Sequence, residues 1–268
     1  MSLRQRTPTA LALIGLLFVV IQYAPSWVMF LFAQAFIVAS LLEFYNLAER
    51  RQLLPQRALG VVLALLVSLA FYFPAVPLEA VLFGGLLAAA VYFVAAFDTI
   101  EKLPYFPASF AVTLIGMLYL SFPLNFIYRI RIESGPFPLY FLFAVIFLGD
   151  SGAYFIGKPF GRRKMTPVAS PNKTWEGSAG GILFALAGAV LARTVLLPGL
   201  PLWKAALTGV VVHAAAQVSD PLESLFKRAA GVKDSSNVLP GHGGFLDRAD
   251  SFILAGPLFY FIVLHFWK

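Results

Sequence analysis

The sequence predicts an all-α integral membrane protein, a polytopic bundle of about nine transmembrane helices whose candidate site lies on the cytoplasmic side of the C-terminal half. Three observations carry that expectation. Of the 268 residues, 60% are hydrophobic and only 12% charged, with a mean hydropathy of +0.82, whereas soluble domains hold about 25% charged residues. Apolar stretches recur at about 10–23, 27–47, 58–73, 78–97, 105–127, 137–157, 175–197, 202–226 and 246–266, most of them near the roughly 20 residues that a bilayer core demands. Strand-like alternation in ten-residue segments is absent, so a membrane β-barrel is excluded.

The opening Met1-Ser2-Leu3-Arg4-Gln5-Arg6 and the run from Ala10 to Tyr23 have the charge and hydropathy of a signal peptide. No A-x-A-like site follows, and Pro25 disfavours cleavage, so a retained first span is expected. The run at 58–73 is short and would thin the bilayer locally. With the N-terminus cytoplasmic, the inner segments collect Arg4 and Arg6, then Arg50, Arg51 and Arg57, then Lys102. They also hold Lys158, Arg162, Arg163, Lys164 and Lys173, and finally Lys227, Arg228, Lys233 and Arg248. Only Arg129, Arg131, Arg193, Lys204 and Lys268 fall outside. That asymmetry sets the orientation and puts the polar loops 158–174 and 227–245 on the cytoplasmic face.

Several function classes drop out. The chain has no cysteine, which removes disulfides, thiol catalysis and zinc-thiolate sites. His213, His242 and His265 are too scattered for a zinc site. The formal charge of +7 reads as cytoplasmic loops meeting anionic lipid heads, not as nucleic-acid binding.

Residues 1–135 read as a transmembrane scaffold. Glu43, with Tyr45 and Asn46 nearby, lies near the end of a span and is expected to reach the interface. Between Tyr105 and Arg131, Pro107 and Pro123 accompany Thr113, Ser121 and Asn125; a substrate groove and an ordinary kinked helix remain equally open there.

Residues 136–268 carry the chemistry. More than half of the 13 acidic residues fall here, as Asp150, Glu176, Asp220, Glu223, Asp234, Asp247 and Asp250. Asp150, in Gly149-Asp150-Ser151-Gly152, sits inside an apolar helix. A capped helix break would explain it, but a metal or substrate ligand is favoured because a lone membrane carboxylate is costly. Tyr154 and Lys158 extend a polar stripe from it at helical spacing. Residues 157–177 then form a loop of glycine, proline and five cations before a helix at Trp175, a setting suited equally to phosphate and to lipid heads. The helix that follows, with Gly177, Gly180, Gly181 and Gly188, is expected to pack closely.

His213, Gln217, Asp220, Ser224 and Lys227 advance by four and three residues, with Glu223 at the margin, so they form one helical stripe that must face a cavity or a partner helix. Pro221 removes a backbone donor and is expected to kink the helix beside Asp220. Asp247, Asp250 and Ser251 share one face of the last helix. Carboxylates converging near a cationic loop suit divalent metal held for phosphate chemistry, since magnesium prefers oxygen ligands and keeps substrate phosphates in its shell. His242, in Pro-Gly-His-Gly-Gly, would orient a nucleotide group or carry a proton, although its glycines suit a tight turn equally well. No G-x-x-x-x-G-K-[ST] loop is present, which excludes a P-loop enzyme.

The stretch S-L-F-K-R-A-A-G-V-K-D-S-S-N-V-L-P-G-H-G-G-F-L-D-R-A-D, residues 224–250, resembles the signature of the phosphatidate cytidylyltransferase (CDP-diacylglycerol synthase) family. D-S-G-A-Y-F-I-G-K-P-F-G (150–161) and S-P-N-K-T-W-E-G (170–177) resemble further segments of that family, and the N-terminal spans resemble it only in hydropathy. The family pattern has Gly-Asp-Leu where this chain has Ser219-Asp220-Pro221. The resemblance implies a magnesium-dependent enzyme of the bacterial inner membrane, facing the cytoplasm. It would join CTP to phosphatidic acid to give CDP-diacylglycerol and pyrophosphate. It implies a cation pair, with potassium beside magnesium, held by Asp220 and Asp247, and Glu223, Asp150 or Asp250 as further ligands or their supports. Lys173 would serve catalysis and, with Ser170, Asn172, Lys227, Arg228, Lys233, Asp234 and His242, bind CTP. The expected partners are CTP, phosphatidic acid and the lipid bilayer; a homodimer is also expected, on no particular residue pattern.

Two other readings compete. A transporter would also place acids at mid-membrane but would show a repeat between halves, which is absent. A CTP-dependent polyprenol or dolichol kinase shares the nucleotide and a lipid substrate. The D-G-x-x-A-R motif of CDP-alcohol phosphotransferases is missing.

Overall fold

The computed structural model of the chain describes residues 14–239, 241 and 243–268. His242 and the beginning of the first apolar run lie outside the described residues. In chain order the elements are α1 over Ile14–Tyr23, α2 over Ser26–Glu49, α3 over Arg57–Tyr72 and α4 over Leu78–Ala96. A 3₁₀ turn at Leu103–Tyr105 leads to α5 over Phe106–Gly116, a π turn over Met117–Ser121 and α6 over Phe122–Ser134. Then come α7 over Pro136–Phe160, strands β1 (Lys164–Thr166) and β2 (Ser170–Thr174), α8 over Trp175–Leu196, α9 over Leu202–Ala229 and α10 over Leu246–His265.

The protein is mostly helical, and five helical stretches among the described residues are long and apolar enough to cross a membrane: Ser26–Glu49, Leu78–Ala96, Leu103–Ser134, Pro136–Phe160 and Trp175–Leu196. α1 and α3 are apolar but shorter, and α9 and α10 carry the ionisable stripe. The helices coincide with the apolar runs because inside a bilayer a helix satisfies its own backbone groups. The segment 158–174 departs from the expected loop. α7 continues through Phe160, and β1 pairs antiparallel with β2, with Lys164 opposite Thr174 and Thr166 opposite Ser170. Strands this short and polar have no apolar alternation to announce them.

The chain divides into two compact units. The first runs through Asn125 and takes in Ala229–Ala249. Its core is built from Ile37, Leu41, Phe44, Tyr45, Leu63, Val67, Phe93 and Leu120, all at most 3% exposed. The polar residues around the π turn are spent inside this core. Asn125 Nδ2 donates to Ser68 Oγ (2.9 Å) and to the carbonyl of Ser121 (2.7 Å), and Gln34 Nε2 donates to Asn125 Oδ1 (3.0 Å). Hydrogen bonds between helices thus account for Ser121 and Asn125 in this segment. Pro123 has no N–H for the carbonyl of Tyr119 within the π turn, a local reason for the widened geometry.

The second unit comprises Phe126–Arg228 and Asp250–Lys268. α7 lies along α8, and the glycines of α8 allow the close approach that their spacing predicts. A Cβ at Gly177 would stand 2.9 Å from the Ala153 carbonyl oxygen, and one at Gly188 would stand 3.1 Å from that of Ala144.

Candidate active site

Within the second unit, the site is built on α9. Its 28 residues run without a break through Pro221, so the proline is carried inside the helix rather than ending it. The predicted stripe faces inward: His213 and Glu223 are fully buried, Ser224 and Lys227 are each 7% exposed, and Gln217 and Asp220 are partly covered. Gln217 exchanges hydrogen bonds with Ser178 of α8, donating from Nε2 to its carbonyl at 3.0 Å and accepting from its hydroxyl. Neither ring nitrogen of His213 has a hydrogen-bond partner among the described residues. The ring packs instead on Gly149 and Gly181, where an added Cβ would meet it at 2.4 and 2.7 Å.

Lys173 reaches this stripe from β2. Its Nζ lies 2.7 Å from Asp220 Oδ2, with the two side chains 28% and 31% exposed. The hairpin aims the lysine. Trp175 N donates to the Arg163 carbonyl at 3.0 Å, and Thr174 Oγ1 caps α8 by accepting from Gly177 N at 3.1 Å. Glu176 Oε2 accepts from the amides of Arg162 (3.0 Å) and Arg163 (3.1 Å). These amides of the hairpin and of the start of α8 therefore have protein partners, and the cations Lys164, Arg162 and Arg163 remain exposed. Asp150 on α7 is exposed and lies within electrostatic reach of Asp220 and Lys173, while Asp250 on α10 feels both Asp220 and Asp150. Three carboxylates that repel one another beside one partly exposed lysine make a setting that favours a cation.

Glu223 and Lys227, both expected to contact ligands, form a buried ion pair: Nζ lies 2.6 Å from Oε2, one helical turn along α9. Arg228 Nε donates to the Ala169 carbonyl at 3.2 Å, tying α9 to the hairpin turn. Ser219, which stands where the family pattern has glycine, is fully buried. Its hydroxyl donates to the carbonyl of Asp250 and accepts from Leu254 N at 3.3 Å, so it fastens α9 to α10. Ser170 is half-buried in β2, and Asn172, Lys233 and Asp234 are exposed.

Asp247 belongs to the first unit and is 8% exposed. Its Oδ2 accepts from Ser235 N (2.9 Å), Ser235 Oγ (2.7 Å) and Gly244 N (2.8 Å). A carboxylate at the start of a helix, fed by backbone N–H groups, is held in one orientation and complements the helix dipole.

The residue that sequence reasoning missed is Glu43. It does not stand open to solvent: it is 5% exposed, and its carboxylate is enclosed by the signature turn. Oε2 accepts from Ser235 Oγ (2.8 Å) and Leu246 N (2.9 Å), and Oε1 from Ser236 Oγ (2.7 Å) and Phe245 N (3.1 Å). The available signal was the cost of a carboxylate in the apolar run 27–47, the same argument that singled out Asp150.

A hard divalent cation suits the oxygen-only donors Asp150, Asp220 and Asp250 of the second unit and, separately, Asp247 of the first, whose hydrogen bonds fix it as such ligands are fixed. Among the described residues, no three acidic or histidine side chains converge into a ready-made cage.

The family described as "Cytidylyltransferase family" matches residues 4–266. The chain is similar to a phosphatidate cytidylyltransferase of Bacillus subtilis, 40% identical over 154 residues covering 57% of each chain. It is 36% identical to one from Staphylococcus epidermidis over 180 residues, 67% of this chain and 68% of the relative. One from Haemophilus influenzae is 41% identical over 150 residues, covering 51% and 52%.

Proposed function

The chain belongs to the cytidylyltransferase family, and from that premise we propose that it transfers CMP from CTP to phosphatidic acid, yielding CDP-diacylglycerol and pyrophosphate. The observation that carries this reading is the Lys173–Asp220 ion pair at 2.7 Å, with Asp150 and Asp250 in electrostatic reach. A cation and acids so arranged can neutralise and hold polyphosphate.

In this mechanism an oxygen of the lipid phosphate attacks the α-phosphorus of CTP, the bond to the bridging oxygen breaks, and pyrophosphate leaves with that electron pair. A phosphate monoester with a second pKa of about 6 is largely ionised at neutral pH, so the attack needs no strong base. Lys173 binds phosphate oxygens and offsets the charge that spreads over them in the transition state, and exchanging Asp220 for phosphate releases it to do so. Asp220 and Asp247 are the proposed cation-holding acids, each considered in its own unit, with Asp150 and Asp250 as further donors beside Asp220. Bound magnesium would supply Lewis-acid stabilisation of phosphoryl oxygens, and potassium is the proposed second ion. Glu223 and Lys227 hold α9 in shape, and Ser170, Asn172, Arg228, Lys233, Asp234 and His242 are proposed contacts for CTP.

We further propose nine spans with the N-terminus and the site on the cytoplasmic side of the bacterial inner membrane, supported by the distribution of Lys and Arg along the sequence. Residues 1–135 would serve as scaffold and 136–268 as the catalytic region, and two copies would associate. The test is to incubate the purified protein with CTP, magnesium and phosphatidic acid. A CDP-lipid and pyrophosphate are expected, and solute flux into liposomes with no such product would overturn the reading in favour of a transporter.

A further inference from the structure

Glu43 is a buried carboxylate in the last third of the apolar helix α2, and nothing in the proposed chemistry uses it. Its four hydrogen bonds fall on one target. Two go to the hydroxyls of Ser235 and Ser236, and two go to the amides of Phe245 and Leu246 at the start of α10. The partners stand 192 to 203 residues away in the chain. The turn therefore gains through Glu43 an attachment to α2 that its own local sequence cannot supply.

The attachment also runs to Asp247. Ser235 Oγ lies 2.8 Å from Glu43 Oε2 and 2.7 Å from Asp247 Oδ2. The one hydroxyl lies within hydrogen-bond distance of both acids, so they are linked through a single oxygen. The amides at the helix start are divided between them, Gly244 N to Asp247 and Phe245 N and Leu246 N to Glu43. Two carboxylates thus satisfy the first donors of α10, where the helix dipole favours negative charge. The packing leaves no slack: a Cβ on Gly244 would stand 2.2 Å from both Glu43 Oε2 and Ser235 Oγ. A structural alternative, in which Glu43 only stabilises the bundle, would not require its contacts to converge on the turn that presents Asp247.

We infer that Glu43 is a positioning residue: by fixing Ser235 and the first amides of α10, it sets the orientation of the Asp247 carboxylate. Its kinetic consequence rests on the proposed cytidylyl transfer; its structural consequence does not. A side chain acting through another in this way is expected to change turnover more than substrate binding. Outer partners of this kind carry about 10- to 100-fold in activity or metal affinity.

The test uses the full chain in detergent and compares wild type with Glu43→Gln and Glu43→Ala. Gln keeps one acceptor oxygen but turns an NH2 group toward partners that include the Leu246 amide, which cannot accept. Hydrogen exchange read at Phe245 and Leu246 should speed up by about tenfold or more in Glu43→Ala, with a smaller rise in Glu43→Gln. Steady-state kinetics should show kcat lowered by about 10- to 100-fold with KM for CTP little changed, and Glu43→Gln between wild type and Glu43→Ala. Exchange at the two amides unchanged in both variants would overturn the inference. So would faster exchange with kcat at the wild-type level, which would leave Glu43 a merely structural acid. If Glu43→Ala fails to fold, Glu43→Gln decides both arms. If the wild type makes no CDP-lipid, the functional reading fails while the exchange measurement still judges the attachment.

Discussion

Lys173 and Asp220 meet across two elements, a strand of the cationic hairpin and the polar stripe of α9, at 2.7 Å. The pair is about one-third exposed, so its contribution to stability is small, about 0–1 kcal/mol. Its removal should be felt in catalysis instead. Asp220→Asn is expected to leave the detergent melting temperature within a few degrees of wild type while lowering turnover by about 10²-fold or more. Lys173→Ala should raise the apparent KM for CTP and lower kcat. Unchanged kinetics in either variant would remove that residue from the site.

Glu223 and Lys227 behave oppositely, because their side chains are 0% and 9% exposed. Losing one partner strands the other charge, which costs roughly 3–5 kcal/mol. Lys227→Met should therefore lower the melting temperature strongly. Combining it with Glu223→Gln should recover most of the loss. A Lys227→Met protein as stable as wild type, but with weakened CTP use, would restore the phosphate-clamp role that the sequence suggests.

Gly244→Ala would push a methyl group into Glu43 and Ser235, each 2.2 Å from the added carbon. Overpacking of this kind costs about 1–3 kcal/mol, and here it also dislodges the acceptors of the α10 amides. The variant should lose stability and turnover together, and circular-dichroism melting beside a product assay checks both. A variant with wild-type melting and rate would show that the turn relaxes freely around residue 244.

The parts legible from sequence are those written in local spacing. Intervals of four and three residues from His213 to Lys227 gave the buried face of α9, and the glycines of α8 foretold its close approach to α7. Three features were not legible. The hairpin around Lys164–Thr174 is too short and too polar for alternation to reveal it. Pro221 marks a place for a kink but not the partner beside it: α9 runs on through the proline, and Ser219 bonds to α10 there. Glu43 has its partners about two hundred residues away, where no periodicity connects them.

Chelation provides a separate check on the acids. EDTA should abolish turnover and added magnesium restore it, whereas Asp220→Asn should need more magnesium for any residual rate. Full activity in excess chelator would remove divalent metal from the mechanism.

The central claim is that the α-phosphorus of CTP is the atom attacked, and isotopic label follows that atom. With phosphatidic acid and magnesium, CTP labelled at the α-phosphorus should pass its label to the lipid, and CTP labelled at the γ-phosphorus should release its label as pyrophosphate. Label from the γ-position appearing in the lipid, with CDP as the free product, would contradict cytidylyl transfer and identify a lipid kinase.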